Sequence, residues 1–168
     1  MLDLIKKSGG FLKASVYIET SVFSYLTARP SNDLRAMANQ NATIEWWETQ
    51  RPNYSIFASD LVVAEAGKGN PEAAQRRLAA IASLPLLQIF PEVRKLAQAL
   101  IENHALPTKA EADAYHVAIT TVNGMEYLLT WNCTHIANAY TRPKIEATCR
   151  GLGYEPPVIC TPFELMEI

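Results

Sequence analysis

The 168-residue chain predicts a three-layer α/β/α sandwich around a mainly parallel sheet, and three observations carry that prediction. Short runs of β-branched, aromatic and aliphatic residues alternate with helical patterns along the chain, the order that builds parallel sheets. Most of those runs are apolar on both faces, as strands covered by helices on either side must be. Hydrophobic residues make up 49% of the chain and charged ones 19%, so one substantial core can be buried and no bias toward disorder shows.

The elements follow in order. Residues 1–13, with Lys6-Lys7 and Ser8-Gly9-Gly10, read as a flexible lead-in, and residues 14–168 as one domain. Ser15-Val16-Tyr17-Ile18 is the first strand, and residues 33–50, bearing Trp46 and Trp47, are helical. Tyr54 to Phe57 is a second strand. Asn70-Pro71-Glu72 supplies a cap, an N1 proline and a first-turn acid for a helix through Leu84, which Pro85 ends. A weaker strand spans Leu87 to Phe90. Pro91-Glu92 opens a helix with Val93, Leu96, Ala97 and Leu100 on one face, and Lys109 to Val122 carries the stripe Ala112, Tyr115, Ala118, Ile119 and Val122. Glu126 to Thr130 is the third clear strand. Pro143 to Arg150 forms a helix stopped by Gly151, and a last weak strand covers Pro157 to Cys160.

Composition also excludes. A net charge of −2 provides no global positive field, so any nucleic-acid contact must come from a local patch. Cys133, Cys149 and Cys160 lie far apart without zinc spacing and read as reduced, buried, small apolar residues of a cytosolic protein. The apolar segment after Lys6-Lys7 is interrupted at once, and no apolar run reaches membrane-spanning length. A cytoplasmic protein with no membrane contact is therefore expected.

In parallel sheets ligands sit outside the carboxyl ends of the strands. The first three clear strands end in Glu19-Thr20-Ser21, in Ser59-Asp60 followed by Glu65, and in Asn132. Asp113, in the first turns of the helix before the third strand, joins them where the helix dipole favours a carboxylate. Carboxylates held close repel one another, and a divalent cation resolves that conflict. Oxygen ligands without cysteine or paired histidine favour Mg²⁺ or Mn²⁺ over zinc, and such an ion suits phosphodiester hydrolysis. Other readings compete. Glu19 could cap the next helix, Asp60 is better explained as a first-turn acid, and Asp113 could be solvated surface. Glu65 falls among Val62, Val63, Ala64 and Ala66, where an unpaired carboxylate would be costly. His116 reads as a core histidine or one supporting the ligands from behind, while His135 is a candidate for touching substrate.

Taken together, Val16-Tyr17-Ile18-Glu19-Thr20-Ser21-Val22, Ser59 to Glu65, Glu111-Ala112-Asp113-Ala114-Tyr115-His116-Val117-Ala118 and Leu128-Leu129-Thr130-Trp131-Asn132 resemble the PIN-domain family, in particular the ribonuclease toxins of VapC-type toxin-antitoxin pairs. The resemblance runs from about residue 15 to the C-terminus. It implies an RNA-cutting enzyme in which Glu19, Glu65 and Asp113 hold Mg²⁺ or Mn²⁺, with Asn132 at the position of the last acid. It further implies support from Ser21 and Thr130, an RNA substrate, a small antitoxin protein as partner, and a homodimer. Glu19 stands where the family usually has Asp, and Asn132 removes one negative charge. Lys68, Arg142 and Lys144 flank the proposed rim and are candidates for phosphate contacts. Two other functions compete. One is a catalytically impaired PIN-like module that binds RNA or protein; the other is a phosphatase, for which the Asp-x-Asp pattern after the first strand is missing.

Overall fold

The computed structural model describes residues 12–167, so all but the last two residues of the predicted lead-in lie outside it. The elements run β1 (Ser15–Ile18), α1 (Thr20–Thr27), α2 (Leu34–Glu45), β2 (Ser55–Ser59), α3 (Asp60–Ala66), α4 (Pro71–Ile81), β3 (Leu86–Leu87), α5 (Pro91–Glu102), α6 (Glu111–Val122), β4 (Tyr127–Leu129), α7 (Arg142–Gly151) and β5 (Val158–Cys160).

The strands form one five-stranded sheet of order β3-β2-β1-β4-β5 in which every pairing is parallel. Right-handed crossovers then dictate the layers. From β1 the chain steps outward to β2 and β3, which puts α1 to α4 on one face. It then returns past β1 to β4 and β5, which puts α5, α6 and α7 on the other. Packing follows this division: α1 touches α2, α3 and α4, while α5 touches α6 and α7. The core between the layers centres on Val16, Tyr17, Ile18, Leu128 and Leu129, all fully buried.

Chain direction reverses at β1, because its connection leaves toward β2 whereas that of β4 leaves toward β5. Such a switch point opens a crevice at the carboxyl ends of the two strands. Pairing of Ile18 with Leu129, and a bond from Glu19 N–H to Leu129 O of 3.0 Å, bring Glu19 and Thr130 side by side there.

Several elements differ from the sequence expectation. Helices α1 and α3, signalled in the sequence only by the cap reading of Glu19 and the first-turn reading of Asp60, start directly at the strand ends with the Glu19 and Ser59 side chains as caps. The helix predicted over residues 33–50 is regular only to Glu45. It then widens over Trp46 to Gln50, where Arg51 N–H reaches Trp46 O, letting Trp46 bury itself and donate to Leu165 O at 3.1 Å. Helix α4 ends at Ile81 rather than Leu84, and β3 pairs at Leu86 and Leu87 instead of continuing to Phe90.

The stripe expected on α6 is broader than a stripe. Ala112 is exposed, while Ala114, His116 and Val117 through Thr121 are buried, because α6 is covered by the sheet and by α5. Thr120 and Thr121 satisfy their buried hydroxyls on the carbonyls of His116 and Val117. Cys149 and Cys160 are buried as expected, and burial pushes the Cys160 thiol up to about 12. Cys133 is exposed, contrary to expectation, since it sits in the loop after β4.

Candidate metal centre

Glu19 joins β1 to α1 and is the N-cap of the helix. The residue is only 6% exposed, yet its carboxylate is well supplied with donors. Ser21 N–H donates to Oε1 at 3.1 Å, the Ser21 hydroxyl donates to Oε2, and Thr130 donates to Oε2 at 2.7 Å from the adjacent strand end. The start of α1 adds its dipole. The cap reading and the site reading of Glu19 therefore describe one and the same placement. Around it the loop after β4 is pinned, as Trp131 N–H donates to Ser21 Oγ at 2.9 Å and Asn132 N–H to Thr130 Oγ1 at 2.9 Å.

Glu65 projects from α3 toward the same crevice. It accepts a hydrogen bond from the Thr20 hydroxyl, and Oε2 lies 2.8 Å from His116 Nε2. Burial alone would raise its pKa. The His116 hydrogen bond and charge, the Thr20 hydroxyl and the Lys68 ammonium outweigh burial and hold Glu65 below the ordinary carboxylate range. For His116 burial works toward the neutral ring, but the Glu65 hydrogen bond and the charges of Glu19, Glu65 and Asp113 prevail and raise its pKa. On its far side, Nδ1 lies 2.8 Å from Tyr17 Oη, itself 2.8 Å from Ser59 Oγ. Ser59 also accepts from Val62 N–H, so the chain of buried polar groups is anchored in the cap of α3. Burial and the neighbouring acids push the Tyr17 phenol upward and keep it protonated.

Asp113 stands one turn before His116 on α6, and its Oδ2 lies 2.7 Å from His135 Nδ1. His135 is positioned in turn by Asn132, whose Oδ1 accepts from His135 N–H at 3.0 Å. Among the described residues, the donor atoms of Glu19, Glu65 and His116 gather within 4.8 Å of one another. Asp113 borders this trio and is clamped by His135.

The sequence-derived candidates thus fall into distinct positions. Glu19, Glu65, Asp113, Asn132, Ser21, Thr130 and His135 share one connected network at the carboxyl ends of β1 and β4. Lys68 is exposed just beyond α3, near enough to act on Glu65. Arg142 is turned to Glu164 at 3.2 Å, and the Lys144 ammonium sits 4.2 Å over the Tyr140 ring. Asp60 is an exposed acid in the first turn of α3. Sequence reasoning placed Thr20 and Ser59 on the rim without giving them a role, and missed Tyr17. A tyrosine in the middle of an otherwise apolar buried strand was the available signal, because a buried phenol needs a partner.

No protein-family model matches the chain and no curated protein matches its sequence. Among solved structures it is similar to the crystal structure of Mycobacterium tuberculosis VapC20, described as a toxin that cleaves the sarcin-ricin loop. Identity is 17% and the TM-score 0.57, over 73% of this chain and 94% of that one. The likeness shows the fold: this chain has a VapC-like PIN fold, the one its sequence resemblance implies.

Proposed function

We propose that this protein is a metal-dependent endoribonuclease of the toxin type, acting at the Glu19, Glu65 and Asp113 crevice. The observation that carries the reading is the gathering of the Glu19 and Glu65 carboxylates with His116 at the switch point of the sheet, their donor atoms within 4.8 Å of one another, with Asp113 near enough to act on His116. The likeness to an RNA-cleaving toxin supports it. An antitoxin protein as partner and a homodimer are proposed with it, on the strength of the resemblance.

The donor set fits a divalent cation: the carboxylates are preorganised by neutral hydroxyls and two histidines rather than cancelled by lysine or arginine salt bridges. Glu19, Glu65 and Asp113 would hold Mg²⁺ or Mn²⁺, directly or through water. Bound there, such an ion supplies Lewis acidity toward a phosphodiester and an activated water. The protein's own residues do the positioning. Ser21 and Thr130 hold Glu19, Thr20 and His116 hold Glu65, and His135 holds Asp113, so each carboxylate is oriented before substrate arrives. Asn132 spends Oδ1 on His135 N–H, and among the described residues its Nδ2 has no protein acceptor. That amide is placed to donate to water or to a phosphate oxygen. Exposed Lys68 is the candidate for a phosphate contact.

The reading is tested by incubating the purified protein with a mixed RNA pool in Mg²⁺ and in Mn²⁺, each with an EDTA control. Internal cleavage that EDTA abolishes is expected, and inertness across varied RNAs in both metals would favour the non-catalytic binding module instead. A second prediction concerns Asn132. Asn132→Asp can keep the bond to His135 N–H while adding a negative charge, so Mn²⁺ should bind about tenfold tighter in calorimetry. Unchanged or weaker binding would place residue 132 away from the ion.

A further inference from the structure

His116 is buried against two of the carboxylates of the crevice. Its side chain is 1% exposed, with Nε2 2.8 Å from Glu65 Oε2 and 4.0 Å from Glu19 Oε1. In an octahedral sphere with bonds of about 2.1 Å, adjacent donors stand roughly 3.0 Å apart and opposite donors roughly 4.2 Å. The imidazole nitrogen thus lies at the spacings of a fellow ligand to both carboxylates.

The other ring nitrogen is equally informative. Histidines that bind a metal through one nitrogen hold the opposite N–H on an acceptor, which fixes the tautomer. Here Nδ1 is 2.8 Å from Tyr17 Oη, and Tyr17 is backed by Ser59 at 2.8 Å, both residues being fully buried. Hydroxyl groups can turn either way. With the ring proton on Nε2, His116 donates to Glu65 and Tyr17 donates to Nδ1. With the proton on Nδ1, His116 donates to Tyr17 Oη, the Tyr17 proton turns to Ser59 Oγ, and the Nε2 lone pair faces Glu19 and Glu65.

We infer that His116 Nε2 is a direct ligand of the divalent ion beside Glu19 and Glu65, that Tyr17 holds the imidazole in the ligating tautomer, and that the site therefore prefers Mn²⁺ to Mg²⁺. This rests on the metal site of the proposed nuclease and revises its donor set from oxygen only to mixed oxygen and nitrogen. Imidazole is a good donor to Mn²⁺ and later transition metals, whereas Mg²⁺ is bound through oxygen and keeps its waters. It also adds a donor to a site short of one acid at Asn132, without adding to the repulsion among the carboxylates.

The deciding experiment is pulsed electron paramagnetic resonance on the full-length protein loaded with one equivalent of Mn²⁺. Wild type should show the nitrogen modulation of a coordinated imidazole, retained in His135→Gln and lost in His116→Gln. Calorimetry should show Tyr17→Phe weakening Mn²⁺ binding about tenfold and shrinking the preference over Mg²⁺. Mn²⁺ bound by the wild type without nitrogen modulation, or modulation that follows His135, overturns the inference and leaves the nuclease reading standing. Failure to bind Mn²⁺ while RNA is cut in Mg²⁺ has the same consequence. Failure to bind either ion together with failure to cut RNA overturns both. Because absence of the modulation in the wild type, or its loss in His135→Gln, would each overturn the inference, a His116→Gln variant that misfolds does not shield it.

Discussion

Replacing Asp113 by Asn is expected to reduce metal-dependent RNA cleavage by more than about 100-fold while leaving the protein folded. The substitution is nearly isosteric, and the new amide oxygen can still accept from His135, whose Nδ1 is 2.7 Å from Asp113 Oδ2 in the wild type. What disappears is one negative charge beside the ion. Two stability terms oppose each other in metal-free protein. Loss of a carboxylate from the first turn of α6 costs about 0.3–1 kcal/mol, and relief of repulsion toward Glu19 and Glu65 returns a similar amount. Thermal melts in EDTA should therefore change little, while initial rates in Mg²⁺ and in Mn²⁺ collapse. A variant that cuts RNA as fast as wild type would remove Asp113 from the site.

The largest loss of stability is expected from Leu129→Ala. Leu129 is fully buried on β4, paired with Ile18 on one side and Cys160 on the other, so its neighbours are held in two flanking strands and cannot collapse easily into the space. Truncation there costs about 2–5 kcal/mol. At roughly 2–4 °C per kcal/mol for a domain of this size, a loss of about 3 kcal/mol lowers Tm by about 6–12 °C. The next residue is Thr130, which donates to Glu19, so the site should loosen along with the strand. Thermal melts in EDTA measure the first effect, and a cost below about 1 kcal/mol would mean that the sheet centre is not packed as described.

Much of this arrangement is legible in the sequence because it depends on local rules. Runs such as Ser15 to Ile18 are apolar on both faces, so a parallel sheet covered on both sides follows, and polar residues at the strand ends then mark the rim. Pairing between distant segments is less accessible. Nothing local to Arg142 announces that Glu164 takes up its guanidinium, or that the Tyr140 ring lies under Lys144. The start of α1 is obscured for a different reason: Glu19 directly follows the strand and is itself the helix cap, so no separate turn residue precedes the helix. His116 shows the same limit. Its spacing from Asp113 suggests a shared helix face, but the contacts that give it meaning come from Tyr17, Ser59 and Glu65, which only the folded sheet brings together.

The central claim, that this crevice is a divalent metal centre, is tested most directly by growing crystals with Mn²⁺ and recording anomalous scattering at the manganese edge. The account predicts one strong peak bounded by the carboxylates of Glu19, Glu65 and Asp113 at the carboxyl ends of β1 and β4. Data in which Mn²⁺ occupies other positions and leaves that crevice without an anomalous peak would contradict it.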